Sequence, residues 1–197
     1  MRLFVGFDPT PELRVVLAGA AAVYGAQLGP AQWTLPADLH VTLQFLGEVP
    51  DGQDEVLRQA LAGIQSPPVT LQLAGLGVFP DAQRPRLLWA GVTPSAALDG
   101  LAAQVAATLH AIGHRRETRP FVPHLTLARS RSPQRLIGRL PPLATALPVW
   151  GGFRADALIL FETSFESSPA GAPDRPRYRR RARFPLGPAA PPTTGRF

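Results

Sequence analysis

The sequence predicts a mixed α+β fold, bilobal, with two pseudo-symmetric antiparallel-rich sheets and outer helices around a central cleft. Three observations predict it. Strand-like and helix-like runs follow one another as strand, helix, strand, helix, strands, and then helix, strand, strands again. The stretches Leu39-His40-Val41-Thr42-Leu43 and Pro123-His124-Leu125-Thr126-Leu127 repeat one pattern at comparable places in the two halves of the chain. In an extended strand successive side chains alternate, so His40 and Thr42 share a face, as do His124 and Thr126, with aliphatic residues on the other. Two facing lobes then put an imidazole and a hydroxyl on each wall of a cleft.

Each element has its own justification. Residues 2–7 alternate and stop at Asp8-Pro9, as a strand does. Thr10-Pro11-Glu12 supplies a cap, a Pro at the first helical position and an early acid, opening a helix to about Gln27 with Leu13, Val16, Leu17, Ala20 and Tyr24 on one stripe. Gly29-Pro30 stops it. Residues 39–46 form the first His strand, and Gly47 to Gly52 a turn. A helix from about Asp54 to Ile64 turns Val56, Leu57, Leu61 and Ile64 inward. Strands over Val69–Val78 and Arg86–Val92 flank a long exposed turn. A third helix spans Ser95 to about Ile112, and the basic connection His114–Arg119 leads into the second His strand. Ser132-Pro133 suits a short helical turn, 145–154 and 156–165 read as strands, and Arg177–Phe184 as the last one. Residues 1–184 thus form a single two-lobed domain, and the Pro- and Gly-rich stretch 185–197 is expected to be a disordered tail.

The composition narrows the chemistry. Among 197 residues, 45% are hydrophobic and 17% charged, as in a globular chain. The formal net charge is +6, and every basic residue is Arg. The planar guanidinium fork suits phosphate oxygens, although a residue-usage bias toward Ala, Pro, Gly and Arg also accounts for the missing Lys. Without Lys there is no self-adenylylating ligase, Schiff-base enzyme or Lys-dependent phosphate loop. Without Cys there is no thiol nucleophile, disulfide framework or thiolate metal site. The apolar start is too short for a signal peptide and no run approaches a membrane span, so a cytoplasmic protein is expected.

Only four His are present, and two of them open His-x-Thr-Leu. A Thr falls two places after a given residue only ~6% of the time at ordinary composition. A paired repeat within two strand-like runs is therefore a strong signal, whereas one alone is not. Two imidazoles suit in-line displacement at phosphorus: one takes a proton from the attacking oxygen and the other gives one to the departing oxygen. The Thr hydroxyls donate to non-bridging oxygens as charge grows on them. Such chemistry needs no cofactor, metal or covalent intermediate.

The repeated motif, with its flanks, resembles the two-histidine phosphoesterase superfamily, and within it the RNA 2′,3′-cyclic phosphodiesterases, also called 2′-5′ RNA ligases. The segments that carry the likeness are Met1–Val5, Leu39–Gly47, Val78-Phe79-Pro80 with Arg84–Trp89, and Phe121–Arg129. The resemblance implies a bilobal fold with a central groove and ATP-independent hydrolysis of RNA 2′,3′-cyclic phosphate ends to 2′-phosphomonoesters. A weak reverse 2′-5′ ligation is implied as well. It makes His40 the proton donor, His124 the proton acceptor, and Thr42 and Thr126 the phosphate holders; the near-symmetric motifs do not by themselves separate acid from base. The implied partner is RNA with cyclic phosphate ends, transfer-RNA fragments among them, met by a monomer with no membrane attachment.

Further candidates follow. The resemblance makes Arg129 a phosphate contact, although strict alternation aims it away from His124, so a bulge or strand end is required. Phe45, Phe121 and Trp33 are aromatic candidates for stacking on a base or for the core. Arg175, Arg177, Arg179, Arg181 and Arg183 share strand parity opposite Tyr178, Ala182 and Phe184, a basic face for solvent or for RNA. His110 and His114 receive no role. The competing readings are a metal-dependent hydrolase with His40 and His124 as ligands, which lacks a carboxylate cluster, and an RNA phosphate-end binding module without turnover.

Overall fold

The computed structural model describes residues 1–28, 31–81, 85–130, 149–166 and 175–187. Its elements are β1 (Arg2–Phe7), α1 (Pro11–Leu28), β2 (Gln32–Trp33), a 3₁₀ turn (Pro36–Asp38), β3 (Val41–Glu48), α2 (Asp54–Ala62), β4 (Val69–Phe79), β5 (Leu87–Val92), α3 (Ala96–Ala111), β6 (His124–Arg129), β7 (Val149–Ala155), β8 (Ala157–Glu166) and β9 (Arg175–Pro185). The expected Ser132-Pro133 turn, residues 145–148 and the tail from 188 onward lie outside the described residues. Pro185 ends β9, Leu186 is buried and Gly187 bridges to Ser66, so ordered chain runs a few residues past the expected boundary at 184.

Local chemistry sets the helix starts. The Thr10 hydroxyl accepts from the Leu13 amide at 3.4 Å, and the Ser95 hydroxyl accepts from the Leu98 amide at 3.2 Å, capping α1 and α3. α2 begins instead with Asp54 and Glu55, whose charges suit the positive helix end, and Arg58 reaches back to Asp54 at 2.7 Å. Leu13, Leu17, Leu57, Leu61 and Ile64 are buried as the periodicity requires. Val16 and Val56 are not: Val56 is 52% exposed, because a stripe at 3.6-residue spacing is narrower than the full set of apolar residues in the helix.

The strands form one sheet in the order β7-β4-β5-β6-β3-β1-β8-β9, with the two-residue β2 added beside β6. All named pairings are antiparallel. The sheet has a waist. β3 and β6 share a single assigned pair, Val41 with Leu125, while their other neighbours are joined by full ladders. The two expected sheets are therefore four-stranded halves riveted at one point. Nor are they the first and second halves of the sequence: β1 and β3 are completed by the C-terminal hairpin β8-β9, whereas β4 to β7 form the other half. The pseudo-symmetry relates β1-α1-β3 to β5-α3-β6, each placing its His motif on the strand beside the waist.

Alternation along the strands sorts the core. Leu3, Val5 and Phe7 join the main apolar cluster with Leu158 and Leu160 and with residues from all three helices. Phe4, Ile159 and Phe161 point the other way and form a second cluster with Ala157, against which Tyr178 packs. Gly6 permits the close approach of β1 to β3, since a Cβ there would sit 2.2 Å from the Val41 carbonyl oxygen.

Candidate active site

Both motif histidines are anchored by the same device. His40 Nδ1 lies 2.7 Å from the Asp38 carbonyl and His124 Nδ1 lies 2.7 Å from the Val122 carbonyl. A carbonyl oxygen only accepts, so Nδ1–H donates in both rings and each Nε2 is left as the reactive nitrogen. Among the described residues, no Nε2 partner and no partner of the Thr42 or Thr126 hydroxyls is present.

The waist brings the motifs together. Val41 and Leu125 are buried in the main cluster, so the residues on either side of them face the opposite way. Extending their antiparallel register by one residue sets His40 across from Thr126 and Thr42 across from His124. The two histidines are then diagonal neighbours on one face, a relation of about 7–8 Å between strand positions. One tetrahedral anion fits within such a square.

Each motif is followed by a bulge at its Leu. In β3 the register with β1 passes from Gly6–Thr42 to Val5–Gln44, skipping Leu43; in β6 the register with β5 passes from Trp89–Thr126 to Leu88–Ala128, skipping Leu127. The extra residue shifts the alternation. Phe45 and Arg129, each three places after the motif Thr, are thereby returned to the histidine face. Phe45 is 57% exposed with its ring 5.8 Å from that of Phe4. Arg129 reaches the same region: its Nη2 is 3.4 Å from the Tyr178 hydroxyl, and its charge acts on both histidines.

Aromatic rings wall each imidazole. His40 is 9% exposed, with ring centroids 4.4 Å from Tyr178, 4.7 Å from Phe4 and 5.6 Å from Phe161. His124 stands edge-on to Phe79 at 5.0 Å and 5.8 Å from Trp89. The Trp89 indole lies over Gly77, where a Cβ would come within 2.1 Å of the ring. Burial, opposed by the Asp38 carbonyl and assisted by the charges of Arg129 and His124, holds the His40 pKa down at about 4. Burial likewise lowers that of His124, with Arg129 acting in the same direction. Both rings are therefore held toward the neutral form.

The structure adds two residues that no local pattern marks. Asp38 is 4% exposed; its carboxylate accepts from Arg177 Nε at 2.7 Å and from the Tyr178 amide at 3.1 Å, while its carbonyl holds His40. Tyr178 covers the His40 ring and touches Arg129. Neither has a local motif, because the hydrogen bonds that join Asp38 to Arg177 and Tyr178 span about 140 residues of sequence.

The remaining candidates are placed as follows. Phe121 packs, half-buried, against the main apolar cluster and, among the described residues, makes no ring contact with either histidine. Trp33 packs on the core and also lines a small cleft with Arg129 and Tyr178. The expected arginine face on β9 does not survive: the register passes from Leu160–Ala182 to Phe161–Arg180, so Arg181 is a bulge and the parity reverses. Tyr178 therefore faces the histidines while Ala182 and Phe184 face the main cluster. Arg177, Arg180, Arg181 and Arg183 pair with Asp38 and Glu166, Asp8, Glu162 and Asp156 respectively. Among the described residues no group of three or more His, Cys, Asp or Glu is placed to hold a metal ion. No helix among them is long and apolar enough to cross a membrane.

Comparison with known proteins places the chain in a family. The chain is 31% identical over 190 residues to an RNA 2′,3′-cyclic phosphodiesterase of Geobacillus stearothermophilus, covering 93% of this chain and 56% of that relative, so it spans about half of the relative's length. It is 34% identical over 181 residues to the Methanothermobacter thermautotrophicus protein of the same name, covering 87% of this chain and 93% of the relative. The crystal structure of E. coli LigT complexed with 3′-AMP superposes with a TM-score of 0.73 at 28% identity, covering 94% of this chain and 97% of the other. Residues 11–164 match the model of the 2′-5′ RNA ligase superfamily, and the chain belongs to that family.

Proposed function

We propose that this protein hydrolyses RNA 2′,3′-cyclic phosphate ends to 2′-phosphomonoesters by general acid–base catalysis, without a metal or nucleotide cofactor. The observation that carries this reading is the square of His40, Thr126, His124 and Thr42 on one face, with both Nε2 atoms and both hydroxyls open. Relatives named RNA 2′,3′-cyclic phosphodiesterase support it. His124 Nε2 takes a proton from water as the water oxygen bonds to phosphorus, and the bond from phosphorus to O3′ breaks. His40 Nε2 gives its proton to O3′, leaving a 3′-hydroxyl and a 2′-phosphate. Thr42, Thr126 and Arg129 donate to the non-bridging oxygens, and Phe45 offers its exposed ring to the terminal base.

For His40 to donate, it must first be protonated, against its burial. The phosphodiester supplies the reason: its negative charge, set between the imidazoles, opposes the Arg129 charge and favours the protonated ring. The same groups run in reverse join a cyclic end to a 5′-hydroxyl through a 2′-5′ bond. Natural substrates are RNA ends, transfer-RNA fragments among them, met by a monomer in the cytoplasm. The test is a product assay on a short RNA bearing a 2′,3′-cyclic phosphate. A 2′-monoester formed in the presence of chelator is expected; an unchanged RNA, a 3′-monoester or activity restored only by added metal overturns the reading.

A further inference from the structure

On the face that carries His40, a cavity of about 340 Å³ lies where β7 turns into β8, lined by Arg154, Arg180, Arg181 and Arg183 together with Asp8 and Asp156. It adjoins the candidate active site through one ring. The Arg180 guanidinium carbon is 5.7 Å from the centre of the Phe161 ring, which is itself 5.6 Å from that of His40. Asp8, on the cavity wall, also acts electrostatically on His40.

Positive charge remains in surplus on this cavity wall. Of its four guanidinium groups, Arg181 pairs with Glu162 outside the lining, and the other three meet two carboxylates, Asp8 and Asp156. Asp8 is shared between Arg180 and Arg14, which leaves that trio positive. Arg183 pairs with Asp156 at 2.9 Å, but both side chains are more than half exposed, and such a pair contributes little to stability and exchanges readily for a stronger anion. Arg154 is exposed and, among the described residues, makes no ion pair. Beneath them, Ile159 and Ala157 supply an apolar floor continuous with the rings under His40. A concave wall of forked donors with surplus positive charge is suited to a phosphate.

The direction of the reaction says which phosphate. If His40 protonates O3′, the terminal ribose lies on the His40 side, and the RNA strand leaves that ribose through its 5′ carbon toward the next phosphate. We infer that the cavity bordered by Arg154, Arg180 and Arg183 is the subsite for the phosphate on the 5′ side of the terminal nucleotide. The protein then selects RNA ends, or 5′-phosphorylated nucleotides, over bare nucleoside cyclic phosphates. This inference rests on the proposed cyclic-phosphate hydrolysis.

The test compares adenosine 2′,3′-cyclic phosphate with and without a 5′-phosphate, at low ionic strength, on the full chain. The 5′-phosphate is expected to raise kcat/KM by about tenfold or more, the size of one charge-assisted hydrogen bond. In R154Q, and further in the R154Q/R183Q double variant, that ratio should collapse toward one, while R116Q, the same loss of charge as R154Q at a residue that does not line the cavity, keeps it. A wild-type ratio near one with both compounds hydrolysed overturns the subsite and leaves the hydrolytic reading standing. A high ratio that persists in the double variant overturns it too, since the phosphate is then held elsewhere. No turnover of either compound removes the hydrolytic reading and the subsite with it.

Discussion

Val41 of β3 stands across from Leu125 of β6, and this one pair is the assigned ladder between the two halves of the sheet. Both side chains are fully buried in the main cluster. Each is flanked by a histidine on its N-terminal side and a threonine on its C-terminal side, so a single apolar contact fixes the register of four polar groups on the opposite face. The relative placement of His40, Thr42, His124 and Thr126 depends on that contact.

Removing either imidazole should be costly. His40→Ala and His124→Ala are each expected to lower kcat by ~10²–10⁴, the range for losing general acid–base help, and the double variant by less than the product of the two. Single-turnover rates on a cyclic-ended RNA check this. Near-wild-type rates in either single variant contradict the paired roles.

The pH dependence carries a signature of burial. Because burial holds both imidazoles below their ordinary value, the kcat/KM profile, which reports the free enzyme, should be a bell with its maximum on the acid side of neutrality. The kcat profile, which reports the complex, should have its alkaline limb moved to higher pH by the bound phosphodiester. Both limbs belong to the coupled pair rather than to one ring. Coincident profiles for kcat and kcat/KM contradict the role given to substrate charge.

Stability should follow the same groups. His40 titrates near 6.5 when unfolded and at about 4 when folded, so between those values the unfolded chain binds the extra proton. Stability is fully present above about pH 6.5 and is lost as pH falls toward about 4, with His124 acting in the same direction. Thermal melts across this window should show a falling midpoint, and the slope should be shallower in His40→Asn. An unchanged slope in that variant contradicts the assignment.

Asp38 joins the first half of the chain to the last strand. Asp38→Ala keeps the carbonyl that holds His40 but strands Arg177 Nε and the Tyr178 amide. The expected loss is about 1–3 kcal/mol, or a melting point lower by several degrees at this chain length. Calorimetry checks it; a melting point equal to that of the wild type contradicts the account of this buried carboxylate.

What the sequence made legible was local. Alternation in His40-Val41-Thr42-Leu43 and its repeat predicts two-faced strands, and capping chemistry at Thr10 and Ser95 marks two helix starts, because these depend on residues a few places apart. The bulge required for Arg129 could be stated as a condition, since its parity was visible. The bulges at Leu43 and Arg181 could not, because a bulge is a mismatch between two strands and neither strand shows it alone. Asp38 and Tyr178 were hidden for the same reason: a buried carboxylate is recognised by the distant groups it satisfies. The halves of the sheet do not follow the halves of the chain, because β8 pairs with β1 and such long-range pairing leaves no local trace.

The most direct test is a titration of the four histidine side chains by nitrogen-correlated NMR with adenosine 2′-monophosphate, the product mononucleotide. The account predicts that the Nε2 signals of His40 and His124 move together, with one shared dissociation constant at one ligand per chain, while His110 and His114 stay still. Movement of only one of the two, or two different dissociation constants, contradicts the convergence of both imidazoles on a single phosphate.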